Sequence, residues 1–348
     1  MKRGRICVTA PQVPYLRGGA ELHTDLLVDA LEEAGHDVEL VTLPYIWTSD
    51  LGTLEQCLAW RMIDLATEIA GIDLVIATKF PSYLVKHPNK VAWIFHQQRE
   101  VYDLHATPFG RLSAGDGDRG LRQALVELDL QGLAENRALF ANSRNTAGRL
   151  ERYSGMEARA LYAPPKLHQD LHPGPYGDYL CFVGRLDRIK RLDLTIRAMA
   201  ETRGSIKLKV AGKGPHLQEL QRQVAEHGLS ERVEFLGFIS DEEVIDLYAG
   251  CFAVVLTPHD EDYGFTTLEA FFAGKPVVTT EDAGGVLEWV RDGVTGSVSP
   301  PEPSQIAAKL DELDADRDLC ARLGSAGRDL VQTEVSWPLA LAALTATL

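Results

Sequence analysis

A chain of 348 residues is long for one hydrophobic core and comfortable for two. With 45% apolar residues it is globular, and a net charge of −15 argues against a nucleic-acid partner and against general attraction to anionic lipid. The five cysteines include no Cys-x-x-Cys pair, the N-terminus runs from basic residues straight into a strand pattern, and no 18-residue apolar span exists; this predicts a reduced, cytoplasmic protein without leader or transmembrane segment, its only membrane contact peripheral and at the inner face.

The first half alternates strand and helix patterns. Residues 5–10 read as a strand, followed by a turn that holds Pro11, Pro14, Gly18 and Gly19. Residues 20–34 form an amphipathic helix with Leu22, Leu26, Leu27, Ala30 and Leu31 on one face, stopped by Gly35. Further strands are predicted at 38–43, 74–78, 91–95, 138–141 and 159–163, and further helices at 58–70, 121–136 and 145–153. His96 closes the strand at 91–95. Residues 97–120, with Gly110, Gly115, Gly117 and Gly120, read as a loop at the mouth of a cleft.

A stretch with Pro164, Pro165, Pro173 and Pro175 and no periodicity follows, which places the domain boundary at 170. The pattern then restarts: a strand at 179–183, a turn at Gly184, a helix at 191–201 and a strand at 207–211. Gly212-Lys213-Gly214-Pro215 makes the next turn, before a helix at 216–227 and a strand at 233–236. The predicted fold is α/β, with two Rossmann-like doubly wound domains, 1–170 and 171–335, whose strand carboxyl ends turn toward a central cleft.

Residues 252–281 carry the densest signal. An apolar run at 252–257 reads as a buried strand, His259 to Gly264 as a polar turn, 265–273 as a helix stopped by Gly274, and 277–280 as a second buried strand. Gly264 lets a ligand approach the backbone, and the N–H groups of Phe265, Thr266 and Thr267 favour an anion at the helix start. Glu261 and Glu269 flank that point. Carboxylates are poor phosphate ligands but good acceptors for sugar hydroxyls. This predicts that Glu269 takes the ribose hydroxyls of a nucleotide and Glu261 the hydroxyls of its sugar.

The stretch closely resembles the Glu-x7-Glu signature of retaining nucleotide-sugar glycosyltransferases of the GT-B fold, glycosyltransferase family 4. The resemblance implies transfer of a hexose from a UDP- or GDP-sugar to the hydroxyl of a sugar, lipid-linked or small-molecule acceptor. It implies further that the backbone at Gly18 and Gly19 lies against the donor phosphates and the acceptor. Arg185 and Lys190, after Gly184, would hold the diphosphate; His96 would lie beside the transferred sugar; Gly212 would line the donor site. In that fold the segment 336–348 crosses back onto the first domain. Two cations and a helix dipole neutralise the leaving group, so neither a metal nor another cofactor is expected.

Rival readings meet specific obstacles. A dinucleotide oxidoreductase needs Gly-x-Gly-x-x-Gly, but after Gly212 and Gly214 the third position is Leu217. Asp-x-Asp occurs at Asp116/Asp118, Asp260/Asp262 and Asp314/Asp316, too often in an acid-rich chain to mark a metal site. An epimerase or phosphorylase would keep the fold and change the reaction.

Overall fold

The computed structural model describes residues 3–15, 18–45, 50–69, 71–95, 98–103 and 116–348. The chain divides into two units, residues 1–163 with 336–348, and residues 164–335. The first unit runs β1 (Arg5–Gln12), α1 (Gly19–Glu33), β2 (Asp37–Pro44), α2 (Asp50–Met62), α3 (Leu65–Glu68), β3 (Leu74–Ala77), β4 (Lys90–Ile94), α4 (Asp116–Ala134), β5 (Leu139–Ala141), α5 (Arg144–Ser154) and β6 (Arg159–Ala160). The second runs β7 (Tyr179–Val183), α6 (Leu192–Glu201), β8 (Lys207–Ala211), α7 (Leu217–Glu226), β9 (Val233–Gly237), α8 (Asp241–Gly250), β10 (Ala253–Val255), α9 (Phe265–Phe272), β11 (Val277–Thr280), β12 (Gly296–Ser299), α10 (Pro303–Ala315) and α11 (Arg317–Glu334). The last helix, α12 (Trp337–Leu344), belongs to the first unit.

Each unit is built on a six-stranded sheet, ordered β2-β1-β3-β4-β5-β6 in the first and β12-β11-β10-β7-β8-β9 in the second. Every strand pairing is parallel. Buried parallel strands read as continuous apolar runs because helices cover both faces. In the first unit the two-residue alternation of a strand sends Ile6, Val8, Leu74 and Ile76 to one face, against Leu27 and Leu31 of α1 and Leu341 and Leu344 of α12. Cys7, Val75 and Ala77 face the other way, against Trp60 of α2, Leu125 and Leu133 of α4 and Leu150 of α5. Burying a leucine completely contributes roughly 1.5–3 kcal/mol, so the two leucines of α12 anchor the end of the chain on this face. Trp337 adds ring contacts 6.2 Å from Trp93 and 6.3 Å from His23.

Both sheets reverse their strand order once. From β1 the chain steps outward to β2 and then returns to the other side at β3; from β7 it steps to β8 and β9 and returns at β10. Ligands of open α/β sheets bind outside the strand carboxyl ends at such reversals. Glu261 and Gly264 lie in the loop after β10, Phe265, Thr266, Thr267 and Glu269 in helix α9 that the loop enters, and Gly184, Arg185 and Lys190 in the segment after β7, all at the β7–β10 reversal.

Some boundaries differ from the sequence reading. Residues 164–170 belong to the second unit, because Lys166 pairs with Asp241, His168 packs 5.8 Å from the ring of Phe272, and Leu167 and Leu171 are buried there. Helix α2 starts at Asp50 rather than 58: Leu51, Leu58 and Met62 are exposed, so it lacks a clean apolar stripe. Helix α4 starts at Asp116, inside the stretch read as a loop because of its glycines; residues 104–115 of that loop lie outside the described residues. Among the described residues no helix is long and apolar enough to cross a membrane.

Candidate functional site

The turns that follow β7 and β8 touch backbone to backbone. Gly184 N–H donates to the Ala211 carbonyl at 3.0 Å, and Gly212 N–H to the Gly237 carbonyl at 2.7 Å. Gly212 has φ +138°, and a Cβ there would sit 1.9 Å from the Gly184 oxygen. No other residue fits, so Gly212 fixes how closely the Gly184-Arg185 turn can lie to its neighbour. Leu186 N–H then donates to the Lys213 carbonyl at 3.0 Å.

Helix α9 starts against the same strand end. Its first turn is tied down by Thr266, whose hydroxyl donates to the Val183 carbonyl at 3.0 Å. Gly264 caps the helix in the left-handed region, φ 80° and ψ 59°, with no side chain to satisfy the terminal donors. Of the three N–H groups expected to cradle an anion, that of Thr267 is taken up by the Gly264 carbonyl at 2.9 Å. The Thr267 side chain is buried, and its hydroxyl finds no partner among the described residues. Thr267 therefore faces inward, while Phe265 and Thr266 form the rim of the turn.

Lys190 and Glu261, 71 residues apart, form an ion pair at this rim. Burial works against the ammonium of Lys190, but Glu261, with Asp187 and Asp262, outweighs it and raises its pKa above the usual lysine value. Arg185 is half-exposed and lies 3.6 Å from Asp187. The loop that carries Glu261 is held by its backbone: Asp260 N–H to the Asp282 carbonyl at 2.8 Å, Glu261 N–H to that of Ala283 at 3.1 Å, and Gly285 N–H back to that of Glu261 at 2.8 Å.

A clamp that spacing did not reveal holds the same loop. Arg191 donates through both terminal nitrogens to Asp282 at 2.6 and 2.7 Å, and also to the carbonyls of Thr257 and Pro258 and the hydroxyl of Thr280, at 2.8–2.9 Å. Burial alone would raise the carboxyl of Asp282, but the Arg191 fork holds it at about 2.

Glu269 lies one turn into α9, half-buried, and its Oε2 accepts from the Tyr248 hydroxyl at 2.7 Å. Burial pushes its carboxyl up; Tyr248 pulls it down and the charge of Asp241 pushes it further up. Tyr248 sits on α8, a helix that the sequence reading did not place. Ser240 and Glu243 form a capping box at its start, a signal that identifies it.

In the first unit, Gly18 and Gly19 are exposed after β1. Glu21 accepts from Gly18 N–H at 2.9 Å and pairs with Lys79, just after β3, at 2.5 Å. Burial opposes the charge on Glu21, but Lys79 and the Gly18 N–H hold its pKa below the usual value. His96 lies outside the described residues. Phe95, before it, stacks on His23 with ring centroids 3.8 Å apart, and burial pushes the imidazole of His23 down to about 3. The structure thus gathers Gly184, Arg185, Lys190, Gly212, Glu261, Gly264–Thr267 and Glu269 around one strand-end reversal, and Gly18 and Gly19 beside another. Among the described residues no three His, Cys, Asp or Glu side chains are grouped to hold a metal ion.

Comparison with known proteins adds the chemistry of relatives. The family model described as glycosyl transferases group 1 matches residues 166–330. The chain is 32% identical to an uncharacterized glycosyltransferase of Methanocaldococcus jannaschii, over 95% of this chain and 94% of that one. It is 32% identical to the alpha-1,3/1,6-mannosyltransferase ALG2 of Homo sapiens over 50% of this chain and 45% of that protein, so it spans less than half of that relative's length. A D-inositol 3-phosphate glycosyltransferase of Nocardia farcinica is 28% identical, over 68% of this chain and 58% of that one. Among solved structures, sucrose-phosphate synthase from Thermosynechococcus elongatus superposes with a TM-score of 0.81 at 20% identity, covering 99% and 98% of the two chains. Anabaena HepE, in complex with UDP and glucose, does so with 0.74 at 19% identity, covering 99% and 100%. At these identities the structural likeness shows the fold, GT-B.

Proposed function

The chain belongs to the group 1 glycosyl transferases of the GT-B fold, and on that premise we propose that it moves a hexosyl group from a UDP- or GDP-sugar to an acceptor hydroxyl with retention at the anomeric carbon. The observation that carries this reading is the β7–β10 reversal, where an uncapped helix start, a lysine–glutamate pair and a half-buried glutamate share one strand end. The acceptor is a sugar, a lipid-linked sugar or a small molecule.

In this reading Glu269 receives the ribose hydroxyls, and the start of α9 receives the diphosphate. Lys190 and Glu261 hold each other until the donor arrives. The ammonium then turns to the diphosphate and the carboxylate to the sugar hydroxyls, so neither charge loses a partner as water leaves. Charge on the leaving oxygen grows as the glycosidic bond breaks, and Arg185, Lys190 and the α9 dipole stabilise it. Paired with Glu261, with Asp187 and Asp262 nearby, the Lys190 ammonium is favoured over its neutral form. The hydroxyl of the acceptor attacks from the face the diphosphate leaves, its proton passing to the departing phosphate oxygen. No divalent ion is needed to neutralise that oxygen, and activity should survive excess chelator.

The test is a panel of nucleotide sugars, first for binding and then for release of nucleoside diphosphate with and without acceptor, with the anomeric configuration of the product read by NMR. Acceptor-dependent release with retention supports the reading. Release without acceptor points to an epimerase, an inverted product refutes retention, and full loss of activity on chelation, restored by manganese, refutes metal independence.

A further inference from the structure

We infer that Tyr248 is a positioning residue for nucleotide binding: its hydroxyl holds the Glu269 carboxylate in one orientation, ready for the ribose diol. The inference rests on the donor-site reading above and adds to it a residue that makes no contact with the substrate.

Tyr248 is buried completely near the end of α8. Its carbonyl takes the N–H and the thiol of Cys251 at 3.4 and 3.3 Å, which ties down the backbone, and complete burial confines the ring. A buried phenol needs a hydrogen-bond partner, and a backbone carbonyl would serve. Here the partner is the side chain of Glu269, on a different helix and 21 residues away, at 2.7 Å. A rigid donor on Oε2 fixes the torsion of the carboxylate. The other oxygen, Oε1, takes no hydrogen bond from the described residues. A ribose presents two hydroxyl donors, and an oriented carboxylate with one oxygen open is what accepts from them.

The carboxylate must also be ionised. Three groups face it: Tyr248 and Asp241 from α8, and Cys181 from β7. Burial and Asp241 both disfavour its charge. Tyr248 opposes them by hydrogen-bonding to the charged form. The same hydroxyl thus supplies both geometry and ionisation.

The test is a double-mutant cycle on nucleoside diphosphate affinity, using Tyr248→Phe, Glu269→Gln and the pair, each with inorganic pyrophosphate as a second ligand. Tyr248→Phe removes one oxygen and no carbon, so packing is kept. It should weaken nucleoside diphosphate binding roughly tenfold, as expected for one hydrogen bond to a charged group, and leave pyrophosphate binding unchanged. On the Glu269→Gln background the same change should do nothing. The acid limb of nucleotide binding, where Glu269 takes up its proton, should move to higher pH in Tyr248→Phe. Replacing Tyr248 alone by a fluorotyrosine, a stronger donor that keeps the fold, should move that limb to lower pH. Equal losses for both ligands, or an unmoved limb, would make Tyr248 merely structural and overturn the inference. Loss with Glu269→Ala but none with Tyr248→Phe sinks only the inference; no loss with Glu269→Ala sinks the donor-site reading beneath it.

Discussion

The two strand-order reversals are built alike and finished differently. At the β1–β3 reversal a glutamate after the first strand pairs with a lysine after the second, Glu21 with Lys79; at the β7–β10 reversal a lysine after the first strand pairs with a glutamate after the second, Lys190 with Glu261. In the first unit the pair is closed. Its side chains are 6% and 14% exposed, and the second oxygen of Glu21 is spent on the Gly18 N–H. In the second unit the pair is 22% and 18% exposed, beside a helix start with no side-chain cap. One architecture thus yields a closed pair in one place and a more exposed pair, beside a helix start, in the other. What separates them is the chemistry around the pair: a backbone donor already bound to the carboxylate, against a helix start with no side-chain cap.

The largest expected effect breaks this comparison directly. Lys190→Met should lower kcat about 100- to 1000-fold, the typical result of removing one donor to developing charge, with little change in Tm. Arg185→Ala should act in the same direction, and Arg185→Lys should rescue it only in part because the planar fork is lost. Lys79→Met should do the reverse. It strands the Glu21 carboxylate and should destabilise the fold by on the order of 3 kcal/mol, while kcat per folded molecule stays within a few-fold of the parent. Steady-state kinetics and thermal melts on the four variants decide it. If Lys190→Met melts early and turns over normally, both pairs are latches.

How far these features were legible in the sequence follows from how local they are. The strands at 179–183 and 277–280 coincide with β7 and β11 because a strand buried on both faces carries no charged residue, and that at 207–211 coincides with β8, where Lys207 and Lys209 alternate with buried Leu208 and Val210. The strand-turn-helix path through Gly264 was legible for the same reason, since Gly264 sits at the turn between a buried run and a helical one. Helix α8 went unread although Val244, Leu247 and Tyr248 fall at the i, i+3, i+4 spacing of one helix face and its cap was plain. The pairs that shape the site had no local sign. Lys190 and Glu261 are 71 residues apart, Arg191 and Asp282 are 91 apart, and Tyr248 meets Glu269 across two elements. Only the fold brings them into contact, so the sequence named Lys190, Glu261 and Glu269 but not what each of them meets.

A smaller effect sharpens the division of labour within the second unit. Glu269→Ala should weaken the free nucleoside diphosphate about 10- to 100-fold, the loss of one or two hydrogen bonds to a charged acceptor. Glu261→Ala should leave nucleoside diphosphate affinity nearly unchanged and weaken the intact nucleotide sugar. Calorimetric titration with both ligands tests the pair. If both variants bind both ligands as the parent does, neither carboxylate faces the donor.

The smallest expected effect is on stability, and it has opposite signs in the two units. In the first, Asp129 is fully buried and accepts from the hydroxyls of Tyr83 and Tyr102; burial pushes its carboxyl up to about 6 even so. In the unfolded chain an aspartate titrates near 3.9. Between pH 6 and 4 the folded state therefore binds the extra proton, so this unit gains stability as the pH falls through that window, and the gain is complete below about 4. In the second unit Asp282 is held at about 2 by Arg191. There the unfolded chain takes up its proton first, so stability present above pH 4 is lost as the pH falls toward 2. Asp282 is partly exposed, and after screening by solvent its share is about 1 kcal/mol; that of Asp129 is about 2 kcal/mol. Hydrogen exchange followed between pH 7 and 3 reads the two separately, through the amides of β3 and β4 and those of β10 and β11. Protection of the first set should rise from pH 7 to 4, and Asp129→Asn should flatten that rise. Protection of the second set should begin to fall only below pH 4, and Asp282→Asn should remove that fall by lowering the protection at neutral pH. A first set that loses protection on acidification in parallel with the second would mean that the Tyr83 and Tyr102 hydroxyls outweigh burial and hold Asp129 charged, and that both units are secured by ionised carboxylates.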